Sequence, residues 1–524
     1  MKDYTFDGGI SKQVLENYLS KAVTAANLIN SDTLEDDLRF IKNIGAKFMG
    51  RVSGIWDMEK DDEEHFRKSE GLANKIHEHD SEIILQTCIF EAIFRELEEI
   101  KIPAWVFEVF NIPCETRNFR FDDMLFDSKP LGFINENSAL PNIDKLEVQM
   151  WFYYRAVRYI DAGFEAIHMG QIHLYSADAV GYKKVFVLFD MIRKYAKKNA
   201  RRHMVILDAH THGVNVKGKL LFDFHSMPFS RMPILDVGGD KLAFVREGFS
   251  EGGLTPSGWK CDTLPLLMEF DNWGGKFFNE DDNIPYEKRA WMEWWGYDQI
   301  TWFATQDEES RNQYLEYAFK WTTINDVNAY CQMPFRRGIG SCKIKMQALG
   351  TDKEMVSDVY KANMPSKACP LGFGQEETIK RIWESTYNLR ERVGNPALRT
   401  RGYFGSEDIY QSSTGIKLPP RVILFGNFQH HVGAFNNDSN SETTRMYHLG
   451  DGIYTLTCIL LYKGEYEYAV SNYGTLSQVY SIDNYPRSGS STKAKIKVEK
   501  DNAVIKFTYD FINRKVKSEV IEEI

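Results

Sequence analysis

Several common protein classes are excluded by what this chain has little of. Its seven cysteines (Cys88, Cys114, Cys261, Cys331, Cys342, Cys369 and Cys458) are odd in number, scattered, and never spaced C-x-x-C. That excludes a disulfide framework and a structural zinc knuckle, and fits a reducing compartment. No segment reaches the roughly 18 apolar residues of a membrane span, and the opening MKDYTFDGGISKQVLENYLSKA has no apolar leader stretch, so a cytoplasmic protein is expected. Basic residues are outnumbered, 64 Lys and Arg against 74 Asp and Glu, for a net charge of -10. This excludes a surface built for nucleic acid or an anionic membrane, which needs clustered positive charge. The one basic cluster, KYAKKNARR (194–202), reads as the solvated end of a helix. No G-x-G-x-x-G or P-loop follows any expected strand, which weakens a doubly wound nucleotide-binding sheet. No tryptophan follows Trp383, although the chain has 11.

What remains is long enough for a large core and more than one domain: 524 residues, 43% hydrophobic and 14% aromatic. Short apolar runs alternate with stretches of helical period. AKFMGRVSGIW (46–56) reads as a strand, EEHFRKSEGLANKIHEHD (63–80) as a helix and EIILQTCIF (82–90) as the next strand. Residues 91–143 are irregular, with possible strands at 104–112 and 131–135. In DKLEVQMWFYYRAVRYIDAG (144–163), Leu146, Met150, Tyr153, Tyr154 and Val157 recur at helical steps, and Gly163 stops the helix. Strands follow at 163–174, 203–208, 219–227, 264–273 and 299–306, with helices over 180–199, 286–296 and 309–328. Strand and helix alternating about eight times predicts an α/β fold, a (β/α)8 barrel spanning 1–405. A polar linker, GSEDIYQSSTGIKLPP (405–420), precedes short alternating runs separated by Gly, Asn and Asp. These predict an all-β sandwich over 418–524.

In such a barrel the reactive groups lie at the C-terminal ends of strands. The expected strand ends are unusually polar. One carries Glu165, His168 and Gln171. The next, HMVILDAHTHGVN (203–215), ends in Asp208, His210 and His212. KLLFDFHSM supplies Asp223 and His225, LLMEFDNWG supplies Glu269, Asp271, Asn272 and Trp273, and QITWFATQ supplies Trp302. Charged groups closing buried strands are costly unless paired or used, so their convergence marks a functional site.

Two chemistries fit. In the first, His210 and His212 lie two apart on an extended segment and point the same way, as metal ligands on a strand should, with Asp208 and His225 beside them. Yet an amidohydrolase-type barrel, which this pattern resembles, carries the pair on its first strand; here it sits in the middle of the series, with His225 the only later histidine of the expected barrel, so no metal is expected. In the second, paired carboxylates break a glycosidic bond, one protonating the leaving oxygen while the other attacks or activates water. Glu269 is the lead catalytic candidate. Asp208, Asp223 and Glu165 remain open as its partner, and Glu91, closing CIFEA, is a weaker candidate of the same kind. His168, Gln171, His210, His225, Asp271, Asn272, Trp273 and Trp302 are expected to bind substrate. A third alternative is a sugar-binding protein without catalysis.

With Glu269 late in the series, the layout resembles a glycoside-hydrolase-type (β/α)8 barrel, and MWFYYRAVRYIDAGFEAIHMGQ is similar to a group of uncharacterised bacterial barrel proteins. The Asn-Glu acid/base of many retaining families is missing at the fourth strand, which reads EAIHMGQ. Farther on, LFGNFQHHVGAF and LGDGIYTLTCILLYKGEYEYAVSNYG resemble carbohydrate-binding β-sandwich modules beside amylase- and pullulanase-type domains, and starch-binding outer-membrane lipoproteins. The resemblance implies glycoside hydrolysis. Without a visible export signal a small carbohydrate substrate is expected, with no cofactor, and the charge and hydropathy predict no nucleic-acid and no membrane partner. Tyr466 and Tyr468 alternate on one strand face, which suits packing and sugar stacking equally.

Overall fold

A computed structural model describes residues 2–522, apart from 55–61, 128–134, 177–181, 212, 229–234, 238–239, 243–249, 251, 262, 272–298, 326–327, 346–349, 352, 386–415, 420, 433–435, 442–443, 461, 477, 482–492 and 502. His212, Asn272, Trp273, the expected helix at 286–296 and most of the linker lie outside the described residues, as does the possible strand at 131–135 except for its last residue. The chain divides into two compact units. The first comprises 1–227, 250–269 and 331–380, and the second 228–249, 270–330 and 381–524.

The first unit is organised by one sheet. Its strands are β1 (Ala22–Ala25), β2 (Phe48–Gly50), β3 (Ile84–Cys88), β4 (Ala166–His168), β5 (Ile206–Asp208), β6 (His225–Pro228), β7 (Leu266–Glu269) and β8 (Ala329–Lys345). They lie side by side in the order β6-β7-β8-β1-β2-β3-β4-β5, and the pairs from β8 through β1 to β5 are parallel. The two ends of that row are also joined: His210 and Ser226 form a parallel bridge, and Ser226 N donates to the Ala209 carbonyl at 3.1 Å. A final strand, β9 (Glu354–Lys361), pairs antiparallel with β8.

The central strands are buried on both faces. This is why they read as continuous apolar runs with few polar interruptions. Helices α1 (Lys12–Leu19), α2 (Leu34–Ile44), α3 (Asp62–His79), α4 (Leu146–Asp161) and α5 (Lys183–Asn199) punctuate the strands. Ser11 caps the first through a side-chain bond from Val14 N at 3.2 Å, and Gly45 ends the second at φ 67°. Inside, Phe40 stacks on Phe335 with centroids 4.3 Å apart, and Phe48 meets Phe224 edge-on at 5.8 Å. Each such buried aromatic or aliphatic side chain contributes roughly 1.5–3 kcal/mol.

Four local expectations are corrected. Residues Ala104–Val109 form a short helix, started by Pro103, rather than a strand. Gln299–Thr305 is α6, also a helix; six consecutive residues, Gln299–Ala304, are buried, so the segment carries no period by which to read it. The expected strand 219–227 is two pieces. Lys219–Leu220 pairs with Asn215–Val216 as a hairpin, and β6 begins only at His225. The short β1 and the polar β8 were not expected as strands at all.

The second unit contains α6, α7 (Glu308–Asn325) and two four-stranded antiparallel sheets. One sheet holds Val422–Gly426, Gly464–Asn472, Val479–Tyr480 and Ala494–Val498. The other holds Tyr447–Gly450, Ile453–Leu460, Ala503–Asp510 and Lys515–Glu522. One apolar core draws on both, including Val422, Phe428, Leu456, Tyr468 and Phe507. The sequence motifs here are structural. Asp451 and Gly452, at φ 47° and 80°, make the hairpin turn after Tyr447–Gly450. Gln429 Oε1 accepts from Gly426 N and Asp438 N, while its Nε2 donates to Asp438 O and Thr444 Oγ1. Tyr466 and Tyr468 are buried in the core, their hydroxyls donating to Tyr462 O and Ser518 Oγ, so both serve packing. Among the described residues, no helix is long and apolar enough to cross a membrane.

Candidate functional site

Glu269 ends β7 and is 1% exposed. A bare carboxylate there would be prohibitively costly, and three neighbours offset the cost. The Arg51 guanidinium donates to Oε1, His210 Nε2 lies 2.7 Å from the same oxygen, and Arg337 Nη1 stands 4.0 Å from Oε2. Burial alone would raise the pKa of Glu269. The Arg51 charge, the His210 hydrogen bond and charge, and Arg337 outweigh it and hold the carboxyl well below the usual carboxylate range. Arg51 Nη2 is also 3.0 Å from His210 Nε2. One ring nitrogen cannot both donate and accept, and Arg51 already donates to Glu269, so the Nε2 proton of His210 points to the carboxylate. Glu269 Oε2 is buried and accepts no hydrogen bond among the described residues.

Arg51 follows β2 at φ 63°, a left-handed conformation uncommon for a side chain of its size, which aims it across the strand ends. Just before it, Gly50 has no room for a side chain: a Cβ there would lie 2.3 Å from Gln332 Nε2 and 3.0 Å from Gln86 Oε1. The glycine thus lets two strand amides close over β2.

A second cluster centres on Asp208 at the end of β5. Its Oδ1 accepts from Gln86 Nε2 at 2.7 Å; its Oδ2 accepts from Ser226 Oγ at 2.7 Å and from His168 Nδ1 at 2.8 Å. Asp208, His168, Gln86 and Ser226 are all buried. The His168 and His210 rings meet edge-to-face at 4.7 Å, joining this cluster to the Glu269 group. Burial lowers the pKa of His168 and outweighs the opposing Asp208 carboxylate, so the ring is neutral at pH 7. Its Nδ1 carries the proton given to Asp208, and its Nε2 is a buried lone pair with no hydrogen-bond partner among the described residues.

Of the residues singled out from the sequence, Glu269, Asp208, His168 and His210 are brought together. Gln171 stands beside them with Glu91, its N and Nε2 each donating to a Glu91 oxygen at 2.9 Å. Gly170 makes this possible: its φ is 55°, and a Cβ would lie 2.1 Å from Glu91 Oε2. Burial raises the pKa of Glu91.

Glu165, Asp223 and His225 lie elsewhere. Glu165 precedes β4, at the opposite end from His168. It accepts from Leu85 N at 3.1 Å and Arg201 Nη1 at 2.5 Å, with His77 at 3.4 Å and Arg202 at 3.6 Å. Asp223 comes before β6 rather than at its end, accepts from Ser257 N at 2.9 Å, and has its pKa raised by burial. His225 turns away from Asp208 by strand alternation and meets Ser250 Oγ at 2.6 Å, while its neighbour Ser226 faces the aspartate. Asp271 and Trp302 belong to the second unit. The Asp271 carbonyl accepts from Ile300 N, and Trp302 packs edge-on to Tyr314 at 4.9 Å.

This separation predicts different outcomes for two buried glutamates. Glu165→Gln should lower stability by about 1–3 kcal/mol, the scale of hydrogen bonds to a charged group, while leaving turnover unchanged. Urea unfolding beside a rate measurement checks it; a large loss of rate at full stability would return Glu165 to the site.

Residues 421–516 match the family described as the pullulanase X25 domain. No curated protein matches the sequence. Three solved structures match over parts or most of the chain at low identity. A pullulanase from Bacillus acidopullulyticus is 19% identical over 20% of this chain and 13% of its own (TM-score 0.17). A debranching enzyme of Nostoc punctiforme is 13% identical over 40% of this chain and 52% of its own (0.25). Amy13B of Eubacterium rectale is 10% identical over 91% and 92% (0.39). The chain thus spans about an eighth of the first of these proteins and about half of the second. Its C-terminal region, over residues 421–516, resembles the pullulanase X25 domain.

Proposed function

We propose that this protein hydrolyses a glycosidic bond in a small oligosaccharide or glycoside, with residues 1–405 forming a (β/α)8 barrel and residues 418–524 a carbohydrate-module-like sandwich. The sheet order β1 to β8 and the bridge between His210 and Ser226 support the barrel. One observation carries the activity: Glu269 is a buried, ionised carboxylate at a strand's C-terminal end, with one oxygen accepting no hydrogen bond among the described residues. Such a group can attack an anomeric carbon or stabilise the positive charge that develops there. Asp208 is the second buried carboxylate of the site. The role of acid does not suit Glu269, because Arg51 and His210 keep its proton off.

A metal at His210 and Glu269 is disfavoured on charge grounds. The Arg51 guanidinium already touches both residues, and a fixed positive charge repels a cation there. The resemblance of residues 421–516 to the X25 domain makes α-glucosidic sugars the first compounds to try. Incubation with maltotriose, panose, isomaltose and 4-nitrophenyl glycosides should release reducing ends or nitrophenol at a rate EDTA leaves unchanged. Loss of turnover to EDTA, restored by a divalent metal, would favour the metal-dependent hydrolase instead.

A further inference from the structure

We infer that His168 is the site's proton acceptor and that Asp208 acts through it, rather than meeting substrate itself. The inference rests on the glycosidase reading and refines the role of the second carboxylate. Both Asp208 oxygens are engaged by three donors, Gln86 Nε2, Ser226 Oγ and His168 Nδ1, at 2.7–2.8 Å. A carboxylate so held has little left to offer a water molecule or an anomeric carbon. What it does instead is fix the ring. The Nδ1–H bond selects one tautomer and orients the imidazole, and Ser226 Oγ, 3.4 Å from Nδ1, lies on the same side.

That tautomer leaves the lone pair on Nε2. The atom is buried and has no hydrogen-bond partner among the described residues, and His168 as a whole is 2% exposed. A buried acceptor left unmatched is a cost that a binding partner with an O–H group removes. Glu269 Oε2 is a second acceptor without a hydrogen bond, and the His168–His210 contact links the two groups. Both acceptors call for hydroxyl donors, as water and a neutral sugar supply, and neither suits a phosphate or carboxylate ligand.

The step balances as follows. Nε2 takes a proton from water as the water oxygen forms a bond to the anomeric carbon. The glycosidic C–O bond breaks, its electron pair leaves with the departing oxygen, and that oxygen takes a proton from solvent. His168 then returns its proton to solvent, and Glu269 faces the charge developing on the sugar throughout.

The test combines nitrogen-15 NMR of histidine-labelled protein with kinetics. In the intact protein the His168 ring should be neutral, protonated on Nδ1 and bare on Nε2, and Asp208→Asn should shift that tautomer balance. His168→Gln should lower kcat on a 4-nitrophenyl glycoside by about 10²–10⁴-fold, the range of general-base catalysis, with little change in KM. Imidazole should partly restore the rate of His168→Gly, which a merely structural role would not allow. An Nε2-protonated ring overturns the inference whatever the activity, as does full kcat in a folded His168→Gln. If the wild type cleaves no glycoside, the glycosidase reading fails on its own, and the ring's tautomer still decides whether Nε2 is an acceptor.

Discussion

Glu269→Gln is expected to lower turnover by about three orders of magnitude or more while the protein stays folded. The substitution keeps the shape of the side chain and removes its charge. A neutral amide neither attacks an anomeric carbon nor stabilises an oxocarbenium-like transition state, and interactions made only in the transition state appear in kcat. The fold should tolerate the change because Gln can still accept from Arg51 and His210 through its carbonyl oxygen. Removing the charge leaves Arg51 buried without its anion, so some stability is lost even though these hydrogen bonds persist. Steady-state kinetics beside a thermal melt checks this. Retention of more than a tenth of the wild-type rate would remove Glu269 from the mechanism.

Arg51→Met should have the largest effect on stability, a loss of about 3–5 kcal/mol at neutral pH, because it leaves a buried carboxylate without its nearest cation. The pH dependence gives the prediction a sign. In the wild type the folded pKa of Glu269 lies below its unfolded value. Its contribution is therefore complete above the unfolded pKa of about 4.3 and is lost as pH falls through that value towards the folded one. Without Arg51, burial becomes the dominant influence and the folded pKa rises. The unfolded state then ionises first, so stability falls as pH rises through the unfolded pKa. The deficit of Arg51→Met relative to the wild type should shrink between pH 7 and pH 4.5 in urea titrations. A deficit constant with pH would mean that Arg51 does not set the charge state of Glu269. Turnover should fall in the same variant.

The site was only partly legible in the sequence, for reasons that differ by residue. Glu269, Asp208, His168 and His210 stood out because each closes an apolar run, where an ionisable group needs a reason to be. Their partners did not. Arg51 sits inside AKFMGRVSGIW, which reads as one strand, whereas β2 stops at Gly50 and the arginine turns through a left-handed conformation. Gln86 is a polar residue in the middle of the apolar run EIILQTCIF, a signal present but unread. Arg337 belongs to β8, a strand whose polar content hid it. Asp223 and His225 misled because the run KLLFDFHSM looks continuous; with β6 starting at His225, alternation presents Ser226 to the aspartate. Glu165 shows the limit of reading a strand as a whole, since residues at its two ends face different surroundings. In the sandwich the turn chemistry of Asp451-Gly452 was plain, but whether Tyr466 and Tyr468 bind or pack depended on tertiary burial, which alternation cannot supply.

The most direct measurement sets sugar binding by Glu269→Gln, from titration calorimetry, beside its rate on the compound the wild type cleaves best. An enzyme whose buried carboxylate acts on the transition state predicts a Kd within about tenfold of the wild-type KM and no detectable turnover. Equal binding by both proteins with no turnover in either would contradict it, and would leave a sugar-binding protein in which Glu269 only holds the strand ends together.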